Sequence, residues 1–113
     1  MFSREHRFDR DTFSVAQSRG HTFRGEYFTL RVAKTDERQR FAVVVSRKVA
    51  KSAVRRHQIR RRTYAALAQI AEELDHGVHV VVFASPHVAT LSYNELVEEL
   101  RSQLVRAGAL PSR

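Results

Sequence analysis

Residues 41–62 read FAVVVSRKVAKSAVRRHQIRRR, an apolar stretch that runs directly into a strongly basic one. Three consecutive valines, Val43 to Val45, favour a β-strand, and they suit a central strand covered on both faces. From Ser52 onward the apolar residues change to helical spacing. The stretch therefore predicts a strand followed at once by a helix.

The predicted helix extends from about Ser52 to Leu74, and Gly77 is expected to cap it. Its polar half carries His57, Arg60 and Arg61. The apolar stripe recurs at steps of three or four residues and consists of Ile59, Thr63, Ala66, Ile70 and Leu74. This spacing predicts a helix that docks by one face and presents basic side chains on the other.

The basic stretch is a block of uncompensated charge. Ten Lys or Arg residues and no Asp or Glu occur from Arg38 to Ala71 inclusive, although the chain has 12 acidic residues and a net charge of +8. Like charges on one surface repel each other, so a polyanionic partner is expected, most commonly a nucleic acid. A solvated helix face would carry mixed signs, and a membrane-surface helix would need larger apolar residues opposite the charges. The candidate binding cations are Arg47, Lys48, Lys51, Arg55, Arg56, Arg60, Arg61 and Arg62.

Two elements are predicted before the decisive stretch. A short helix is expected from about Arg10 to Arg19, capped by Asp9 and ended by Gly20. In residues 27–33 apolar and polar residues alternate, which predicts a half-buried strand. The short polar link to residues 41–46 favours an antiparallel hairpin between these two strands.

Two more elements follow the basic helix. Residues 78–84, VHVVVFA, predict a third strand. Ser92 and Glu95 have the spacing of a capping box, and Leu96, Leu100 and Leu104 form the apolar seam of a last helix. The order helix, strand, strand, helix, strand, helix predicts a small α+β sandwich with a sheet of at least three strands. Residues 1–113 are expected to form a single domain.

Composition excludes several classes of site. The chain has no cysteine, which rules out disulfides and thiolate metal sites. It has no run of 18 apolar residues and no apolar signal-peptide core near its start, so no membrane association and a cytoplasmic protein are expected. The six histidines show no metal-ligand pattern, and neither a catalytic residue nor a protein metal site is predicted.

The sequence resembles the protein subunit of bacterial ribonuclease P. That family has Val-Ser-Lys-Lys-Val-Gly at the end of a strand and Ala-Val-x-Arg-Asn-Arg-Ile-Lys-Arg on the following helix, and residues 45–50 and 53–61 here match at the same spacing. His57 and Gln58 stand in place of the central Asn-Arg, and Tyr64 replaces a further arginine. Arg55 could recover the charge lost at Gln58.

The resemblance implies a role in binding rather than a protein active site. Ribonuclease P removes the 5′ leader from precursor tRNA, and in the family the RNA subunit is the catalyst and holds Mg²⁺. The protein would bind this RNA through the basic helix, with His57 and Gln58 included, and would hold the single-stranded leader in a cleft. Phe13 and Phe28 match the family's cleft positions. The family also implies a left-handed β-α-β crossover, whereas the general steric rule favours the right-handed form.

Two other functions remain open from the residues alone. A generic RNA-binding or ribosome-associated protein would have the same composition, and a stand-alone small ribonuclease would need two groups for acid-base catalysis facing one phosphate. A DNA-binding regulator is disfavoured because no helix precedes the basic one at helix-turn-helix spacing.

Overall fold

A computed structural model of the chain describes residues 20–34, 39–73 and 77–108. The main elements, in chain order, are β1 (His21–Arg24), β2 (Phe28–Lys34), β3 (Arg40–Val44), α1 (Ala53–Ile70), β4 (Val78–Ala84) and α2 (Tyr93–Arg106). Short 3-10 helices at Ala71–Glu73 and Pro86–Thr90 follow α1 and β4. The helix predicted before Gly20, and Phe13 with it, lies outside the described residues. The fold class is the predicted α+β, and β1 is a strand that the sequence did not reveal.

The four strands form one mixed sheet in the order β1-β2-β4-β3. β2 pairs antiparallel with β1 and with β4, whereas β3 pairs parallel with β4. The predicted hairpin between β2 and β3 is therefore wrong, because β4 lies between them. β4 takes this place because Val78 to Val82 are all buried, which requires cover on both faces and a neighbour on each side.

β3, predicted as a central strand, lies at the edge of the sheet formed by the described residues. Its burial alternates, since Phe41 and Val43 are buried and Ala42 is only half-buried. An edge strand has backbone groups that no neighbouring strand can satisfy. Here the amide of Val43 donates to the hydroxyl of Tyr64 at 3.2 Å, so a side chain of α1 covers part of this edge.

The connection from β3 through α1 to β4 joins two adjacent parallel strands, as the predicted β-α-β crossover requires. Its left-handed sense stays a prediction from the family resemblance.

Both helices contribute to a core on one face of the sheet. The buried residues of α1 are Ile59, Thr63, Ala66, Leu67 and Ile70, which confirms four members of the predicted stripe and adds Leu67. The fifth predicted member, Leu74, lies outside the described residues. The predicted seam of α2 is buried in the same cluster as Phe28, Leu30 and Val32 of β2. This packing fixes the rotation of α1 about its axis and so decides which of its cations face outward.

The predicted helix and strand boundaries are largely confirmed. Ser92 and Glu95 form a complete capping box at the start of α2. Gly77 and Gly108 have φ values of 76° and 78°, a region that side chains with a Cβ rarely enter. None of the helices in the described part of the chain is long and apolar enough to cross a bilayer.

The capping box makes the stability of α2 depend on pH. The carboxylate of Glu95 accepts a hydrogen bond from the amide of Ser92 at 2.8 Å, and this bond, together with the Ser92 side chain, lowers the pKa of Glu95 below its usual 4.5. A lowered pKa in the folded state gives stabilisation that is present above the unfolded pKa and is lost as the pH falls through the folded value. We therefore expect Glu95→Ala to destabilise the protein near neutral pH and to matter less in acid.

Urea unfolding of the wild type and Glu95→Ala across this pH range measures the effect. Glu98→Ala removes the same charge one turn later and serves as the control for helix charge. If the wild type exceeded Glu95→Ala in free energy of unfolding by the same amount in acid as at neutral pH, the role of the ionised carboxylate would be contradicted.

Candidate nucleic-acid interface

The link between β3 and α1 holds three of the predicted binding cations. It contains a turn in which the amide of Val49 donates to the carbonyl of Ser46 at 3.1 Å. Arg47, Lys48 and Lys51 are all exposed. The link therefore presents its cations to solvent beside the edge strand. Residues 47–62, which include this link and the first half of α1, are called the basic segment below.

The start of α1 adds to the positive potential of the basic segment. Ser52 caps the helix by accepting a hydrogen bond from the amide of Arg55 at 3.3 Å, and the first turn contains no acidic residue. A helix N-terminus carries partial positive charge on its free amides, and acidic side chains there are stabilising. Placing Arg55 and Arg56 there instead costs stability unless an anion is bound. The arrangement favours a phosphate ligand.

One open, shallow hollow on the outer side of α1 collects most of the predicted helix residues. Val54 is 70% exposed in this hollow, an unusual exposure for a valine. His57, Gln58 and Arg61 are exposed, and Arg56 and Arg60 are half-buried. The complete lining consists of Ala53, Val54, Arg56, His57, Gln58, Arg60 and Arg61.

Two arginines of the basic segment lie away from the hollow. Arg55 is exposed on the flank of α1 and donates to the side-chain oxygen of Gln58 at 3.3 Å. Arg62 donates to the backbone carbonyl of Leu91 at 3.0 Å, next to the start of α2. The cations thus extend around the exposed part of α1 and do not form a single row, and Arg62 ties α1 to the residue before the cap of α2.

Acidic side chains occupy a different part of the molecule. Within residues 20–34, 39–73 and 77–108, none of them forms an ion pair with the basic segment, and Glu73 pairs with Arg101. Around Tyr27 the negative charge is dense enough to raise the pKa of its hydroxyl, first through Glu26 and further through burial, Glu99 and Glu95. The positive potential of the basic segment is therefore not neutralised by the described part of the chain.

The sheet face opposite the helices carries a second set of cations. Arg31 and Arg40 are both half-buried, and each lies beside β4, where Arg31 is in register with Val81 and Arg40 with His79. The side chain of Arg31 donates to the Thr22 hydroxyl at 2.5 Å. This surface, called the second sheet face below, was not predicted as a site. The alternation of these residues with core residues along β2 and β3 was a signal that could have identified it.

Of the two predicted cleft aromatics, Phe13 lies outside the described residues and Phe28 is described. Phe28 is 0% exposed and lies in the core beneath the helices, so its ring offers no surface for stacking with a base. The structure therefore does not support a leader contact for Phe28, because the strand alternation directs it away from the second sheet face. Phe83 does lie on that face, half-buried and in register with Thr29 and Val44.

Comparison with known proteins identifies the family. The family model described as Ribonuclease P matches residues 2–108. The chain belongs to the ribonuclease P protein family. It is 30% identical over 103 residues to the Ribonuclease P protein component of Pseudanabaena sp. (strain PCC 6903), and the match covers 89% of each chain.

Solved structures of ribonuclease P proteins share the fold. The protein from Staphylococcus aureus superposes with a TM-score of 0.80 at 18% identity and covers 93% of this chain and 97% of its own. The protein from Thermotoga maritima gives a TM-score of 0.75 at 24% identity, over 86% of this chain and 91% of its own. As a member of the ribonuclease P protein family, the chain is a protein subunit of ribonuclease P, with an RNA subunit as its partner in the holoenzyme and a role in tRNA processing.

The departures from the ribonuclease P motif have structural consequences. At Gln58, where the motif has a cation, the side chain binds Arg55, so a guanidinium is held one turn earlier on the same flank. Tyr64, which replaces a further arginine, is half-buried, and its hydroxyl accepts the amide of Val43. Position 64 therefore supports the edge of the sheet in this member of the family.

Proposed function

We propose that this ribonuclease P protein binds the RNA subunit through the basic segment and the single-stranded 5′ leader of precursor tRNA on the second sheet face. The basic segment carries the proposal. Its exposed arginines and lysines surround a helix N-terminus, and none of them is paired with an acid from the described part of the chain. Arginine forks bind phosphate at two points, and counterion release makes each such contact favourable at moderate salt.

The second sheet face supports the leader half of the proposal. A single strand of RNA is bound well by a groove that combines cations with aromatic rings, because stacking tolerates any base. Arg31 and Arg40 provide the cations, and Phe83 takes the aromatic role that Phe28 cannot fill. Phe13, which lies outside the described residues, stays a predicted leader contact.

The chemistry is assigned to the RNA subunit. Among the described residues, no group of three or more His, Asp or Glu side chains could hold a metal ion. We propose that the Mg²⁺ that the reaction requires is held by the RNA subunit. His57 is exposed among arginines and His79 is buried, so they do not face one phosphate as an acid-base pair would. The protein would act in the cytoplasm, where it would position the RNA subunit and the substrate.

Reconstitution tests this proposal. The protein alone is expected to leave a precursor tRNA uncut, and its addition to the cognate RNA subunit should restore cleavage at a low Mg²⁺ concentration at which the RNA alone is slow. The cationic side chains of the protein replace the counterions that high Mg²⁺ would otherwise supply. Lack of stimulation by the folded protein would refute the proposed function, and cleavage by protein free of RNA would favour a stand-alone ribonuclease.

A further inference from the structure

Arg56 differs from the other cations of the hollow in what it binds. One terminal nitrogen of its guanidinium, Nη1, donates to the carbonyl oxygen of Ala50 at 3.0 Å and to that of Lys51 at 2.8 Å. Its side chain is half-buried, whereas His57 and Arg61 are exposed. Arg56 therefore ties the helix to the link that precedes it.

The two carbonyls belong to the residues just before the Ser52 cap, which lie outside both β3 and α1. A hydrogen bond from a charged donor is stronger than one between neutral groups. The two bonds restrict the backbone at Lys51 and, through the turn from Ser46 to Val49, the directions in which Arg47 and Lys48 extend. Holding the link in one conformation removes an entropy cost that RNA binding would otherwise carry.

We propose that Arg56 is a positioning residue, which holds residues 47–51 so that Arg47, Lys48 and Lys51 meet the same RNA as the cations of α1. This inference rests on the proposed binding of the RNA subunit by the basic segment. A guanidinium has five N–H donors, so the bonds to Ala50 and Lys51 leave others for a phosphate. Arg56 acts mainly through the link, and Arg61 acts by direct contact.

A binding cycle with the RNA subunit of ribonuclease P separates these two roles. The proteins are the wild type, Arg56→Ala, the triple variant Arg47→Ala/Lys48→Ala/Lys51→Ala, and the combination of all four changes, compared at low salt so that each still binds. We expect the Arg56→Ala change to weaken binding about tenfold when it is made in the wild-type protein. Made in the triple variant, it should weaken binding less than about threefold, because the effects of coupled residues are not additive. Arg61→Ala, the matched control, should cost the same factor in both backgrounds.

A second measurement needs no RNA. Backbone ¹⁵N relaxation of the free protein should show order parameters for residues 47–51 that fall from values near 0.85 toward about 0.6 in Arg56→Ala and stay unchanged in Arg61→Ala. Equal losses of affinity for Arg56→Ala in both backgrounds, or unchanged order parameters, would overturn the positioning role. If the wild type fails to bind the RNA subunit, the proposed function fails, and the relaxation data still decide whether Arg56 holds the link.

Discussion

Replacement of both Arg60 and Arg61 by glutamate is expected to reduce affinity for the RNA subunit by about 100-fold or more. The two side chains lie together in the hollow on the outer side of α1. Each charge-assisted contact with a phosphate contributes about 1.5–3 kcal/mol, and about 1.4 kcal/mol corresponds to a factor of ten. Reversal of the two charges also adds repulsion between the glutamates and the phosphates of the RNA. Titration of labelled RNA subunit with each protein, over a range of salt concentrations, measures the loss.

The salt dependence of binding should change together with the affinity. Each phosphate contact that is lost is expected to flatten the plot of log affinity against log salt by roughly 0.7–0.9. The matched control is Lys34→Glu/Arg106→Glu, which changes the net charge equally at two exposed positions outside the basic segment. If the control pair weakened binding as much as the test pair did, net charge rather than the hollow would determine affinity.

Gly25→Ala is expected to destabilise the fold by about 1–3 kcal/mol, although Gly25 is exposed and its φ is not positive. A Cβ built on Gly25 would lie 2.9 Å from Oε1 and 3.0 Å from Nε2 of Gln103. Gln103 is buried in α2, and its Nε2 donates to the carbonyls of Phe23 and Phe28 at 2.9 Å each. The amide can move away from a methyl group only by breaking the bonds that tie the β1–β2 turn to α2.

A double-mutant cycle tests this explanation by chemical denaturation. Gln103→Ala should itself be destabilising, because it removes a buried donor from the Phe23 carbonyl. In that background Gly25→Ala should cost less than about 0.5 kcal/mol, since the clash has been removed. Ser102→Ala, at the exposed neighbouring position of α2, controls for substitution in the helix. If Gly25→Ala lowered the free energy of unfolding as much in the Gln103→Ala background as in the wild type, the backbone of Gly25, and not its contact with Gln103, would explain the effect.

Local features were predictable because their causes lie within a few residues of one another. The capping box of α2 needs only Ser92 and Glu95 at the right spacing, and both of its hydrogen bonds form. The stripe of α1 follows from helical periodicity, and its four described members are buried as predicted. By contrast, β1 was missed because its exposed residues show little apolar alternation, and it forms by pairing with β2.

Phe28 and Phe83 show which part of the site could not be predicted from the sequence. Alternation along a strand sorts side chains between two faces, but it does not say which face the helices cover. That choice depends on packing between elements far apart in sequence. It buries Phe28 and leaves Phe83 half-buried on the second sheet face, in register with Val44 of β3.

Three features could be read from the residues alone: the strand that leads into a basic helix, the absence of acidic residues from residues 39–70, and the helix caps. Each depends on neighbouring residues or on residue type. Two outcomes came from contacts between distant parts of the chain, namely that β4 separates β2 from β3 and that Arg62 binds the Leu91 carbonyl. These outcomes follow from burying β4 on both faces and from the resulting rotation of α1, and such long-range packing leaves no local pattern in the chain.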